Sequence, residues 1–95
     1  MSLKETIERL IYDAECATLY LQDDAYYDAE ELVEDIYKRI DNLTVENKVI
    51  AGMLSKAKEQ LFTALQLIRV RSKMSACVLL EDVVETLRDI EIILK

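Results

Sequence analysis

The sequence predicts an all-α fold: an antiparallel bundle of three or four helices forming one domain over residues 1–95. Three observations carry this. There is no Pro and a single Gly, Gly52, so the chain lacks the punctuation that tight hairpin turns require. Apolar residues recur at alternating three- and four-residue steps along most of the length, the period of a helix face. Strand-type alternation is sustained nowhere. With 52% apolar residues, 95 positions suffice for one core.

The first helix opens on Ser2, a good N-cap, with Glu5 three residues on to complete a capping box. Leu3, Ile7, Leu10, Ala14, Ala17 and Leu21 mark its apolar face, widened by Ile11 and Tyr20, and it ends near Asp23-Asp24. Either aspartate can cap the second helix, whose stripe is Ala29, Leu32, Val33, Ile36, Ile40 and Leu43. That helix stops around Asp41-Asn42. Thr44 is the cap candidate for a third segment, which stays helical from Val45 to Arg71 with Ile50, Leu54, Ala57, Leu61, Leu65 and Ile68 on one face. Whether residues 44–72 make one helix or two is open at this point. The last joint falls at Ser72-Lys73-Met74-Ser75. The final helix carries Leu80, Val83, Leu87, Ile90 and Leu94 on its core face, and Cys77, Val78, Leu79, Val84, Ile92 and Ile93 thicken it beyond one stripe. Leu10, Ala17, Ile36, Leu54, Leu61, Leu65, Val83 and Leu87 are the expected core.

Charge is segregated as well as negative, at −7 net. Between Leu10 and Tyr37 there are nine acidic residues and no basic one. Between Lys38 and Lys73 eight basic residues face three acidic, and the last helix is acidic again through Glu81, Asp82, Glu85, Asp89 and Glu91. One consequence is intramolecular: acidic helices flank a basic third helix and select that arrangement. Another is external. The acidic surface from Asp23 to Asp35 can steer a basic partner, with Tyr26, Asp28 and Glu31 as candidate contacts, because tyrosine supplies contact area at low entropic cost. A net negative chain suits neither phosphate backbones nor anionic lipid, so neither nucleic acid nor membrane is expected as partner. No apolar run approaches the ~20 residues of a membrane span, and the Met1–Glu5 segment lacks the apolar core of an export signal. A cytoplasmic location is the default expectation, in which Cys16 and Cys77 are free thiols serving as small apolar residues.

Catalytic equipment is missing. With no His, the commonest general base and transition-metal ligand are gone. Two cysteines 61 residues apart make no zinc pattern, and one glycine makes no phosphate-cradling loop. The expectation is therefore no enzyme, no metal and no cofactor.

Residues 16 to 36 resemble a tetratricopeptide helical hairpin. Ala17 is followed three later by Tyr20, then a polar turn at Gln22-Asp23-Asp24, then Ala29 nine residues after Tyr20, with Val33 and Ile36 beyond. A second register, 34 residues on, sets Ala51, Leu54 and Leu67 at matching places. It departs from the family where Thr63 stands for an alanine, where no turn interrupts Lys56 to Gln60, and where Asp41 replaces the usual proline. The resemblance implies a concave binding surface lined by the first helix of each pair, here Ile11, Ala14, Thr18, Leu21 and Gln22. The leading functional expectation is a protein-interaction module: a small chaperone, adaptor or inhibitor. The alternative is a self-assembling homodimer that covers the surplus apolar surface of the last helix through Leu79, Ile92 and Ile93. A third reading is an acidic mimic of DNA.

Overall fold

A computed structural model describes residues 2–95 and is 84% helical. Four helices, α1 (Leu3–Gln22), α2 (Tyr26–Asp41), α3 (Lys48–Arg69) and α4 (Lys73–Ile93), are joined by short connections. The longest, 22 residues, spans ~33 Å at 1.5 Å per residue, which matches the 36 Å long axis of a body 19 Å across in both other directions. Helices this long in a body this narrow run side by side, and the short connections make chain neighbours antiparallel. α1 packs on α2 and α4, and α3 packs on the same two, while α1 and α3 lie across the core from each other, as do α2 and α4. The chain thus closes into a four-membered ring.

The apolar stripes meet inside that ring. All eight expected core residues are buried, and Ile7, Leu21, Val33, Ile50, Ile68, Leu80 and Ile90 join them in one continuous cluster. Every helix contributes a fully buried alanine: Ala14 and Ala17, Ala29, Ala57 and Ala64, Ala76. These small side chains let neighbouring axes approach closely. Tyr20, expected on the core stripe, is 41% exposed, because it stands at the stripe's edge beyond Ala17.

The helix ends show where local chemistry decides. Ser2 and Glu5 form the capping box, with the Glu5 amide donating to Ser2 Oγ at 3.2 Å. The Asp23-Asp24 pair does not cap α2. It closes α1 instead: Asp24 takes a left-handed conformation (φ 60°), its amide donates to the Leu21 carbonyl at 3.0 Å, and the Ala25 amide donates to that of Tyr20 at 2.8 Å. This Schellman turn leaves Ala25 at the N-cap of α2 with no side-chain bond. The α3–α4 joint repeats it. Arg71 sits at φ 62°, and the Arg71 and Ser72 amides donate to the Ile68 and Leu67 carbonyls. That joint is Val70-Arg71-Ser72, so Lys73, Met74 and Ser75 are already in α4. Residues 44–72 hold one helix. It starts at Lys48 because Asn47, not Thr44, is the cap: Asn47 Oδ1 accepts from Val49 and Ile50 at 2.9 and 3.1 Å. Leu43 and Val45 in the preceding loop pack against the core, which holds that segment extended up to Asn47.

Candidate functional site

Ion pairs run along the helix seams and set which outer surfaces remain free. Arg39 reaches from α2 to Asp13 of α1, and its Nε lies 3.0 Å from Asp35, in line for attraction but not for a hydrogen bond. α3 is tied to α2 by Lys58–Asp41 (2.9 Å) and Arg69–Glu30 (2.8 Å). α4 is tied to α1 by Arg88–Glu15 (3.2 Å), and its first residue, Lys73, pairs with Asp24 in the α1–α2 turn. Between α3 and α4 the polar link is Thr86, whose hydroxyl lies 3.2 Å from Gln60 Oε1 and 3.0 Å from the Asp82 carbonyl. Hydrogen bonds to Asp41 and Asp24 push the ammonium pKa values of Lys58 and Lys73 up from the usual lysine value. The acidic α2 and basic α3 neutralise each other across their seam. The carboxylates of α4 are not used this way. Among the described residues no cation pairs with Glu81, Glu85 or Asp89.

Those three carboxylates wall an open groove of about 700 Å³ between α1 and α4. Its other lining residues are Glu15, Thr18, Leu19, Val84 and Arg88. Both helices present a second exposed row along it, at the same four- and three-residue steps as their buried faces. On α1 the row is Glu8, Tyr12, Glu15, Leu19 and Gln22, and on α4 it is Met74, Val78, Glu81, Glu85, Arg88 and Ile92, all exposed. The Glu15–Arg88 pair fixes the antiparallel register, setting Tyr12 about level with Ile92 and Leu19 level with Val84. The groove therefore has Leu19 and Val84 as its apolar lining with carboxylates around them, and the exposed rows of the two helices continue past it at either end. The Thr18 hydroxyl donates back to the Ala14 carbonyl at 3.3 Å, so it needs nothing from outside.

Of the residues expected to line a concave surface, Ile11, Ala14 and Leu21 are buried in the core. α4 packs against α1, and these three side chains lie within the shared core rather than on an outer surface. Gln22 is exposed at the end of α1, and Thr18 alone lines the groove. Tyr26 is half-buried against the core with the Arg71 guanidinium 4.5 Å from its ring centre, so its face is already occupied. Asp28 and Glu31 are exposed on α2 and do not line that groove. Leu79 is half-buried and packs on the core, whereas Ile92 and Ile93 are 65% and 45% exposed. Cys16 and Cys77 are free and half-buried, and burial pushes the Cys77 thiol up, helped by the nearby Glu81.

Leu19, Glu15, Glu81, Val84, Glu85, Arg88 and Asp89 are not among the candidate contacts that the sequence offers. A signal for them exists in the second four–three row of the last helix and in its carboxylates at positions 81, 85 and 89, one helical turn apart. Among the described residues no three acidic, Cys or His side chains gather as a metal site requires, and no helix is long and apolar enough to cross a membrane. No protein family, curated protein or solved structure matches the chain.

Proposed function

We propose that this chain is a protein-interaction module, acting as a small chaperone, adaptor or inhibitor, and that it presents the α1–α4 face to its partner. The observation that carries this reading is the groove itself. A closed ring of four helices has no need of a further apolar row, yet Leu19 stands in water in this concavity, and Tyr12, Val78 and Ile92 stand in water on the outer rows of α1 and α4 that run through it. Exposed apolar side chains aligned on a concavity and rimmed by charge are the usual composition of a docking surface. The reading as a DNA mimic has less support, since Asp13, Glu15, Asp24, Glu30, Glu34 and Asp35 are engaged in ion pairs. A homodimer is the second reading. It is favoured by apolar side chains at the α3–α4 end: Ile93 near the end of α4, level with Met53 in the register set by Gln60 and Thr86, with Val49 one turn further along α3 and Ile92 beside Ile93 on the outer row of α4.

The test is a photo-crosslinking residue placed at Leu19 in the native host, with Gln66 on the outer side of α3 as the comparison position. The expected outcome is an adduct to one defined polypeptide from Leu19 only, identified by mass spectrometry and lost on Glu85→Lys. Equal adducts from both positions, or none from Leu19, would refute the reading.

A further inference from the structure

We infer that the α1–α4 groove receives a cationic amphipathic helix of about four turns, contributed by a different protein. The inference rests on the interaction reading above and names the chemistry of the occupant.

The carboxylate row of α4 is the starting point. Glu81, Glu85 and Asp89 follow one another at four-residue steps, and like charges at that spacing repel and weaken a helix by a few tenths of a kcal/mol per pair. Elsewhere in the molecule the acidic helix α2 meets cations of α3, which offsets such repulsion. The α4 row has no counterpart. Its one basic neighbour, Arg88, is turned toward Glu15 on the opposite wall, and those two charges offset each other. The groove is therefore negative along its α4 wall, where Glu81, Glu85 and Asp89 stand unpaired, and apolar at Leu19 and Val84. Its complement has Lys or Arg along one edge and an apolar ridge beside it.

A helix satisfies that description most simply. The exposed rows on the two walls repeat every three and four residues, the spacing that accepts side chains of a third helix laid along them. The exposed α4 row runs through the groove from Val78 to Ile92, fifteen residues or ~21 Å end to end at 1.5 Å per residue, which four helical turns cover. An extended strand would need unpaired backbone groups to bond to, and a helical wall offers none.

A second copy of this chain does not fit as well. A two-fold axis at this face would set the Glu81–Glu85 segment of one α4 against the same segment of the other, placing carboxylate on carboxylate in the centre of the interface.

The experiment uses the intact chain and a synthetic eighteen-residue helical peptide with Leu every three or four residues and Lys flanking that stripe. A second peptide carries Glu for every Lys. Binding is followed by fluorescence anisotropy, and the docking site by amide chemical shifts. The Lys peptide is expected to bind, to move the signals of Thr18, Leu19 and Val84, and to bind several-fold more weakly as salt rises from about 50 to 300 mM. The double variant Glu81→Lys/Glu85→Lys, at two exposed positions, is expected to lose about tenfold in affinity for the Lys peptide and to gain binding of the Glu peptide. Glu46→Lys/Glu59→Lys, at two exposed positions outside the groove, is expected to change affinity less than about twofold. Equal weakening by both double variants, failure of the charge swap, or shifts lying outside the groove would overturn the inference. A dimer in sedimentation that buries Leu19 would overturn it too. If crosslinking at Leu19 instead captures a partner through an acidic or non-helical segment, the interaction reading stands and this inference falls.

Discussion

Two residues sit where their side chains are a local liability. Gly52 lies on the exposed side of α3, where a Cβ would meet nothing within 4 Å. Glycine in a helix interior costs about 0.8–1 kcal/mol relative to alanine through backbone entropy. Gly52→Ala is therefore expected to stabilise the protein by about that amount in urea unfolding, with an unchanged dependence on denaturant concentration. Arg71 is the opposite case, a bulky residue in the left-handed region at φ 62°. Its compensation is the Tyr26 ring 4.5 Å away, a cation–π contact of about 0.5–1 kcal/mol at an exposed site. Arg71→Ala loses the stacking and keeps the strain, while Arg71→Gly loses the stacking and releases about 1 kcal/mol. The glycine variant should melt above the alanine variant and close to the parent. Equal melting of the two variants would show that the turn imposes no strain. In the interior, Leu61 is wholly buried, so Leu61→Ala should cost roughly 2–5 kcal/mol in the same assay.

At the scale of elements, the faces of the helices were legible in the sequence and their ends were only partly so. The three–four spacing identified the buried side of each helix because burial is decided by angular position, which repeats in sequence. Ends depend on competition between neighbours. Asp23 and Asp24 read as N-caps, but the two-bond Schellman closure of α1 claims them first. Thr44 lost to Asn47 because Leu43 and Val45 are drawn to the core and delay the start of α3. The ion pairs between elements follow the charge blocks of the sequence, and two of them give a pH signature. The lysines of Lys58–Asp41 and Lys73–Asp24 have raised pKa values in the folded protein. Their contribution is fully present below the unfolded lysine value of about 10.4 and is lost as pH rises through the folded values. The melting temperature of the parent should exceed that of Asp41→Asn or Asp24→Asn at pH 8, and the difference should shrink once the pH passes the usual lysine range. A difference that persists undiminished at higher pH would assign the effect of Asp41 or Asp24 to something other than the ammonium partner.

The whole molecule shows what spacing along one chain leaves open. Small residues in the first two helices announced a close antiparallel hairpin, and α1 and α2 do pack together. Nothing in those residues states that α4 will return to α1, because that contact joins the two ends of the sequence and is chosen by competing apolar faces. Its closure is what buried Ile11, Ala14 and Leu21 and displaced the candidate site to the outer rows of α1 and α4. The surplus apolar surface of the last helix, by contrast, was visible in its composition, and folding has used only part of it. Ala76, Leu80, Val83, Val84, Leu87 and Ile90 enter the core, while Met74, Val78, Ile92 and Ile93 do not. If self-association uses the α3–α4 end, Ile92 and Ile93 are the residues to probe, since both are exposed and a charge there leaves the monomer intact. Leu79 is a poorer probe: it packs on the core, so Leu79→Glu would destabilise the fold and the assembly together. Burying apolar area contributes about 25 cal/mol per Å², and two isoleucines with Val49 and Met53 on each copy supply a few kcal/mol toward a two-fold contact. Sedimentation at low micromolar concentration is expected to give twice the 11.0 kDa chain mass. Ile92→Glu/Ile93→Glu is expected to return it to the single-chain value with its helical circular dichroism unchanged. A parent that sediments as a monomer even at high concentration would refute the dimer and assign the exposed α4 residues to a different protein, where the carboxylate row beside them already points.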